Sequence, residues 1–306
     1  MAKNNNLHTA KKAKNDEFYT QLVDIENELK YYSPHFQGKV VYCNCDNCME
    51  SNFFKYFALS FERLGLKELI ATAYNENGKG IVYRYKGDKN GNIYPDFDEI
   101  VPTELNGNGD FRSAECIEIL KESDIVVTNP PFSLFREYIA QLVEYNKKFI
   151  IIGNQNAITY KEVFPLIKNN KLWLGLHLCK EFKQPNGEMK KFGNICWFTN
   201  LDHERRNQSI DLYMKYSNDY YPKYDNYNAI NINKTCEIPM DYDGVMGVPI
   251  TFLDKYCPEQ FEIIGVTASF DKTQEVEKLR TSIKHRHNGF INDKEIYKRI
   301  LIKRKI

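Results

Sequence analysis

The most constraining feature of the sequence is a short apolar run that leads directly into two consecutive prolines. Residues 124–128 read Asp-Ile-Val-Val-Thr, and Asn129, Pro130, Pro131 and Phe132 follow them. A strand without alternating polar residues is buried on both faces, which is typical of the centre of a parallel sheet. Because each proline fixes φ and lacks a backbone N–H, the strand must end in a rigid turn. The pattern predicts an α/β fold with a turn at the carboxyl end of a central strand, where ligands bind in such sheets.

Strand and helix patterns alternate on both sides of this run. The other strands are predicted at 39–43, 69–73 and 149–152, the helices at 51–64 and 133–145, and one or two short strands within 75–110. Thr159 and Glu162 have the spacing of a capping box that opens a further helix. This alternation predicts a Rossmann-like α/β fold, with a mainly parallel central sheet flanked by helices.

The domain organisation is predicted from a change of pattern after about residue 175. Short strand-like pieces, such as 195–198, occur there among Asn, Tyr, Pro and charged residues. We predict a flexible basic arm over 1–15, an α/β domain over 16–204 and a loop-rich region over 205–306.

Composition excludes several classes of protein. The formal net charge is only +1, which disfavours a purely electrostatic nucleic-acid binder but is compatible with a local basic cleft. No run of 18 apolar residues and no apolar leader segment occurs in the sequence. These observations predict a cytoplasmic protein with no membrane span, in which the eight cysteines are reduced thiols.

The turn after the central strand carries groups that suit a planar substrate with an amino group. The side-chain oxygen of Asn129 and the carbonyl of Pro130 can each accept one amine hydrogen, which localises the nitrogen lone pair. The Phe132 ring can hold a base by stacking, a contact that contributes about 1–3 kcal/mol. Positioning and oriented dipoles then supply the catalysis without a covalent intermediate. A plain turn that caps the strand is the alternative interpretation.

At these residues the sequence resembles the adenine-specific DNA methyltransferases, whose signature is (Asp/Asn/Ser)-Pro-Pro-(Tyr/Phe). The order of elements, with Phe18-Tyr19-Thr20 first, the cofactor strand next and the catalytic motif after it, resembles the gamma group. The EcoRI-type adenine methyltransferases are similar over longer stretches, at 24–29, 40–46, 51–57, 123–135, 158–164 and 244–250.

The resemblance implies a methyl donor, a substrate and partners. The donor is S-adenosylmethionine, and the substrate is double-stranded DNA from which the target adenine is flipped out. A cognate restriction endonuclease is implied as a functional partner of a restriction-modification system, and a monomer is expected. Residues 16–204 are then the catalytic domain, and 205–306 the target-recognition region.

The resemblance also assigns cofactor-binding residues. Phe18, Tyr19 and Thr20 line the cofactor methionine, and the loop with Asn44, Cys45 and Asp46 follows the cofactor strand without the glycines of many methyltransferases. By its position in a Gly-rich turn, Asp110 is expected to accept from the amine of the cofactor adenine, with Phe111 packed on its ring; a simple turn is the alternative interpretation. Asn75 and Glu76, after the second strand, are candidates for the cofactor ribose.

Three alternatives stay open at this point. The spacing of Cys43, Cys45 and Cys48 suggests a metal site, but no second Cys or His pair lies nearby, so no metal is expected. The same tetrapeptide also suits a methyltransferase that acts on RNA or on a protein glutamine. A catalytically silent DNA-binding subunit is the non-enzymatic interpretation. Basic residues after 180, such as Lys215 and Lys223, are candidates for phosphate or guanine contacts.

Overall fold

The computed structural model describes residues 19–45, 50–89, 91, 99–183, 188–281 and 287–305. Their contacts divide the chain into two compact units. Unit 1 consists of the described residues up to Gln155 together with Leu174–Asp202, and unit 2 of Asn156–Trp173 together with those from His203 onward. The segment Asn156–Trp173, which lies inside the predicted range 16–204, packs with unit 2.

A mixed sheet of nine described strands organises unit 1. In chain order these strands are β1 (Tyr19–Thr20), β2 (Val40–Cys43), β3 (Glu68–Ala73), β4 (Ile81–Tyr85), β5 (Val101–Glu104), β6 (Ile125–Thr128), β7 (Lys148–Asn154), β8 (Trp173–Lys183) and β9 (Met189–Thr199). Within the sheet they follow the order β1-β8-β9-β7-β6-β2-β3-β4-β5.

The centre of this sheet is parallel, and its edges are antiparallel. Strands β7, β6, β2 and β3 run parallel to one another, while β9 joins β7, β4 joins β3 and β5 joins β4 in the antiparallel direction. Every residue of β6 is buried, as expected for an apolar run between two parallel strands. The predicted class, an α/β fold of the Rossmann-like methyltransferase type with a mainly parallel central sheet, is confirmed.

Helices connect these strands. Those of unit 1 are α1 (Leu22–Leu29), α2 (Asn52–Leu59), α3 (Phe61–Leu64), α4 (Ala114–Glu122) and α5 (Phe135–Glu144). The Ser51 hydroxyl caps α2, because it accepts from the backbone N–H of Phe53 at 3.1 Å. Among the described helices, none combines the length and hydropathy that a membrane span requires.

Two predicted helix boundaries are wrong. The helix expected over 51–64 is interrupted at Ser60, whose φ of −105° and ψ of 9° separate α2 from α3. The capping box predicted at Thr159 and Glu162 does not open a helix. Instead, the Thr159 hydroxyl donates to the carbonyl of Asn156 at 3.0 Å and closes a 3₁₀ helix, Gln155–Thr159.

Unit 2 has a sheet of its own, although its sequence predicted a loop-rich region. The elements of unit 2 are α6 (Phe164–Lys168), β10 (Ile230–Asn231), β11 (Met246–Val248), β12 (Phe261–Val266), α7 (Gln274–Leu279), β13 (Phe290–Ile291), β14 (Lys294–Glu295) and β15 (Ile300–Arg304). Strands β10, β11, β15 and β12 form a four-stranded sheet in that order, and β13 and β14 form a separate hairpin. Ile300, Leu301 and Ile302 are fully buried, so β15 lies at the centre of this small core.

A buried carboxylate fastens strand β8 to helix α1 in unit 1. Glu28 is fully buried and accepts hydrogen bonds from the Tyr32 hydroxyl and from the backbone N–H groups of Leu176 and His177, at 2.8–3.0 Å. The His177 ring nitrogen Nδ1 lies 3.0 Å from the same carboxylate. Gly175 leaves room for this contact, because a Cβ there would lie 2.2 Å from Glu28 Oε1. The carboxylate thus supplies acceptors for the strand backbone.

We predict that Glu28→Gln lowers the free energy of unfolding by about 2–4 kcal/mol. The amide NH₂ group would face a backbone N–H that now meets an acceptor, and both donors would be left buried. The urea midpoint followed by circular dichroism measures the effect. Glu26→Gln, an exposed change on the same helix, is the matched control. Equal midpoints for the two variants would contradict this account of Glu28.

Candidate active site

The candidate site lies at the carboxyl edge of the parallel strands. Asn44 follows β2, Tyr74 follows β3 and Asn129 follows β6, and these three strands are neighbours in the sheet. Parallel neighbours end at the same edge, so the residues that follow them share one edge of the sheet. This is the edge at which ligands bind in open α/β sheets.

The Asn-Pro-Pro-Phe motif forms a turn between β6 and α5. Asn129, Pro131 and Phe132 are half-buried, and Pro130 is buried. Phe132 begins a short 3₁₀ helix, in which the N–H of Leu134 donates to the carbonyl of Pro131 at 2.9 Å. Helix α5 starts directly afterwards, so the helix predicted over 133–145 begins with a 3₁₀ turn. The motif is therefore held between a buried strand and a helix.

A pair of hydrogen bonds joins this motif to the loop after β2. The Thr128 hydroxyl donates to the backbone carbonyl of Asn44, and the Tyr138 hydroxyl donates to the side-chain oxygen of Asn44. Thr128 is the residue before Asn129, and Tyr138 lies on α5. Asn44 is only 1% exposed, because its side chain is turned toward α5. These contacts set the position of the Asn-Pro-Pro-Phe turn relative to the predicted cofactor loop.

Cys45 gives that loop a turn for which many sequences use glycine. Its φ is +66°, in the left-handed region that residues with a Cβ rarely adopt. The backbone thus turns at Cys45 without a glycine, and the Cys45 side chain is half-buried. Asp46, the third predicted residue of this loop, lies outside the described residues.

The loop that carries Asp110 is fastened to the end of β3. The N–H of Asn75 donates to the carbonyl of Asn108, and the N–H of Gly80 donates to the carbonyl of Gly107, each at 2.9 Å. Gly109 has φ +79°, and a Cβ there would lie 2.6 Å from the carbonyl oxygen of Ala73. Only glycine permits this approach. Asp110 is thereby brought to the same edge of the sheet as Asn44 and Asn129.

Asp110 is held as a carboxylate by the arginine two residues later. The Arg112 guanidinium donates from Nε to Oδ1 at 2.9 Å and from Nη2 to Oδ2 at 2.7 Å. This hydrogen-bonded pairing lowers the pKa of Asp110 below its ordinary value. Phe111 is 4% exposed, and its ring packs edge-on against Tyr138 with centroids 5.1 Å apart. The buried Phe111 ring thus packs the Asp110 loop against Tyr138 of helix α5.

Two residues of the predicted Phe18-Tyr19-Thr20 element, Tyr19 and Thr20, pack at the start of α2. The side-chain amide of Asn52 donates to the carbonyl of Thr20, and the Tyr19 hydroxyl donates to Glu50, each at 2.7 Å. The Thr20 hydroxyl is buried and has no hydrogen-bond partner among the described residues. Phe18 lies outside that part of the chain. A buried, unpartnered hydroxyl is what a bound polar ligand would satisfy.

The candidates for the cofactor ribose differ in their surroundings. The Asn75 side chain is used within its own turn, since Nδ2 donates to the carbonyl of Lys79 and Oδ1 accepts from the N–H of Asn77. Glu76 is exposed. No three His, Cys, Asp or Glu side chains lie together as a metal site in the described ranges, and Cys48 falls outside them.

Sequence reasoning missed two residues that organise the site. Tyr138 lies three positions after Phe135, on the apolar face of α5, and its hydroxyl is the only polar atom of that side chain. Arg112 directly follows Asp110 and Phe111 in the loop. A tyrosine on a largely apolar helix face was the available signal for Tyr138, because a buried hydroxyl needs a partner.

A mainly parallel α/β sheet with Asn-Pro-Pro-Phe at the carboxyl end of a central strand is typical of adenine-specific methyltransferases. Residues 6–305 match the family described as adenine-specific methyltransferase EcoRI. The chain belongs to this family. The predicted resemblance and the predicted enzyme class are thereby confirmed.

The chain is also similar to named relatives over their whole length. It is 51% identical to the Type II methyltransferase M.EcoRI of Escherichia coli, covering 99% of this chain and 98% of that protein. It is 39% identical to M.MpnI of Mycoplasma pneumoniae, with 98% of both chains covered. It is 38% identical to M.MgeORF184P of Mycoplasma genitalium, with 97% of this chain and 98% of that one covered. No solved structure matches the chain.

We predict that Tyr138→Phe slows methyl transfer and lowers the free energy of unfolding by about 1–3 kcal/mol. The change removes one hydroxyl and leaves the buried side-chain oxygen of Asn44 without its donor. Single-turnover kinetics and urea unfolding measure the two effects. Tyr145→Phe at the end of the same helix is the control, since no hydrogen bond of its hydroxyl is seen in the described structure. If both variants behave alike, the contact with Asn44 does not organise the site.

Proposed function

We propose that this enzyme transfers a methyl group from S-adenosylmethionine to N6 of a flipped-out adenine in double-stranded DNA. The observation that carries the proposal is the Asn129–Phe132 turn at the end of β6, tied through Asn44 to the loop after β2. The relatives are named Type II methyltransferases, which supports a role as the modification enzyme of a restriction-modification system.

The chemistry rests on the acceptors of the turn. The target nitrogen is a weak nucleophile, because its lone pair is delocalised into the purine ring. The carbonyl of Pro130 and the side-chain oxygen of Asn129 each accept one hydrogen from it, and the Phe132 ring holds the base. When bound, S-adenosylmethionine supplies a methyl group on a sulfonium. The methylated nitrogen then loses one proton to water.

The orientation of Asn129 adds a requirement to this mechanism. Its Oδ1 atom is buried in the structure, whereas the residue as a whole is half-buried. A rotation about the Cβ–Cγ bond exchanges Oδ1 with Nδ2 and turns the acceptor outward. We include this rotation in the proposal, as a step that accompanies entry of the base.

The residues at the edge of the sheet fit the cofactor. The buried Thr20 hydroxyl offers a partner for the methionine end, and the ionised Asp110 offers an acceptor for the adenine amine. Tyr19 and the backbone around Cys45 complete the proposed set. The roles of Phe18 and Asp46 stay predictions, because both residues lie outside the described part of the chain. The contact of the Phe111 ring with the cofactor adenine also stays a prediction, since this ring is already packed against Tyr138. In this proposal Asn44 does not contact the cofactor, and its role is to position the Asn129–Phe132 turn through Thr128 and Tyr138.

We further propose that 16–204 is the catalytic domain and 205–306 the target-recognition region. Unit 2 presents exposed basic side chains suited to phosphate or guanine, such as Lys215, Lys223 and Lys234. The basic arm over 1–15, proposed for phosphate contacts, lies outside the described residues. A cognate restriction endonuclease and a monomeric enzyme belong to the same proposal.

We predict that Asn129→Ala abolishes methyl transfer to DNA while DNA binding changes by less than about threefold. The change removes one of the two acceptors and leaves the strand, the prolines and the ring in place. Transfer of radiolabel to DNA, RNA and protein, together with a filter-binding assay, measures both properties and tests the RNA and protein alternatives. Asn129→Asp is the conservative partner and retains part of the activity. Wild-type rates in Asn129→Ala would exclude the mechanism.

We predict that Thr20→Val weakens binding of S-adenosylhomocysteine about threefold to tenfold without lowering the stability of the free enzyme. Valine has nearly the same shape, and the hydroxyl it replaces has no partner within the described structure. Isothermal titration calorimetry and thermal unfolding measure the two quantities. Unchanged affinity would show that this hydroxyl does not contact the cofactor.

A further inference from the structure

Arg112 makes more contacts to the Asp110 loop than a simple surface ion pair. Besides the two bonds from its guanidinium, its backbone N–H donates to Asp110 Oδ1 at 2.9 Å. The guanidinium lies over the Phe111 ring, 5.3 Å from the centroid. Its third nitrogen, Nη1, donates to Glu137 Oε2 at 2.9 Å. Arg112 is therefore fixed on three sides.

These contacts determine the plane in which the Asp110 carboxylate lies. A guanidinium that binds both oxygens in a side-on pair orients a carboxylate more strictly than a point charge does. Each carboxylate oxygen has two acceptor sites. Oδ1 accepts from both Nε and the backbone N–H of Arg112, whereas Oδ2 accepts only from Nη2, so the site left for another donor is on Oδ2. The backbone N–H of Arg112 cannot fix the plane of the carboxylate by itself, because it donates only to Oδ1.

The contact with Glu137 connects the same arginine to the catalytic turn. Glu137 lies in the first turn of α5, which begins three residues after Phe132. Arg112 thereby links the Asp110 loop to the helix that holds the Asn-Pro-Pro-Phe motif. The side chains of Arg112 and Glu137 are about half exposed, at 49% and 56%, and such ion pairs add little to stability. The main effect of these contacts is therefore to orient the Asp110 carboxylate.

We propose that Arg112 is a positioning residue that aims the Asp110 carboxylate at the amino group of the cofactor adenine. This inference rests on the proposed role of Asp110 in cofactor binding. Arg112 acts through Asp110 and does not touch the cofactor itself. Without the guanidinium, the carboxylate keeps only the bond from the backbone N–H to Oδ1, so Oδ2 is no longer held in place and accepts the amine hydrogen in only a fraction of its orientations.

The test compares two ligands that differ at one position of the purine. S-adenosylhomocysteine carries the 6-amino group, and S-inosylhomocysteine carries a 6-oxo group that cannot donate to Asp110. Their dissociation constants are measured by calorimetry for the wild type, Arg112→Met, Arg112→Lys and Asp110→Ala. Arg84→Met is the matched control, because Arg84 also binds two carboxylates, those of Glu68 and Glu122, away from this loop.

We expect the wild type to prefer the amino ligand about tenfold or more, as for a hydrogen bond to a charged group. Arg112→Met should reduce this preference at least fivefold by weakening the amino ligand alone. Arg112→Lys should restore part of it, and Arg84→Met should leave it unchanged. A structural role would instead weaken both ligands equally, and that result would overturn the inference.

The same measurements separate this inference from the proposed function. If the wild type shows no preference, or if Asp110→Ala keeps it, the role of Asp110 itself is wrong. If Asp110→Ala loses the preference and Arg112→Met keeps it, only the role of Arg112 is wrong. Thermal unfolding of each variant identifies any that do not fold, and Arg112→Lys then serves as the test variant.

Discussion

The structure of the site depends on two hydrogen bonds that meet at Asn44. One comes from Thr128, at the end of the central strand, and the other from Tyr138, on the helix that follows the catalytic turn. The turn is thereby tied to the neighbouring strand and to its own helix at a single buried residue. Buried hydrogen bonds are strict in direction, and an unmade one is costly. The position of the Asn-Pro-Pro-Phe turn is therefore fixed relative to the loop after β2.

The sheet edge is assembled without the glycine-rich loop of many cofactor-binding folds. Cys45 adopts the left-handed backbone conformation that is usually found at glycine. Gly109, in contrast, is required because a Cβ there would collide with the carbonyl of Ala73. The second loop is pressed against the end of β3 and carries Asp110 with it. The loop after β2 and the loop with Asp110 therefore bring polar groups to the same edge of the sheet. Arg112 links the Asp110 loop to helix α5 through Glu137.

The errors of sequence reasoning have local physical causes. Residues 51–64 have a continuous apolar face, yet the helix is interrupted at Ser60. The periodicity of apolar residues could not predict this break, because both halves of the segment still pack their apolar residues against the core. Thr159 and Glu162 have the spacing of a capping box, but the Thr159 hydroxyl bonds backward to Asn156. Short polar side chains compete for nearby backbone groups in either direction. The piece predicted at 195–198 is the buried end of a much longer strand, Met189–Thr199, whose other residues are largely solvated.

The sequence by itself determined the central strands, the α/β class and the rigid Asn-Pro-Pro-Phe turn, because apolar runs and paired prolines act locally. It also led to the family, through Asn129–Phe132 and the stretches around it. Only the tertiary structure decided that Asn44 faces inward, that Tyr138 contacts it, and that Asn156–Trp173 packs with unit 2. Each of these depends on contacts between residues far apart in the chain, or on the direction of one side chain. Neither is encoded in spacing, since a hydrogen bond requires both partners to be brought together by the fold.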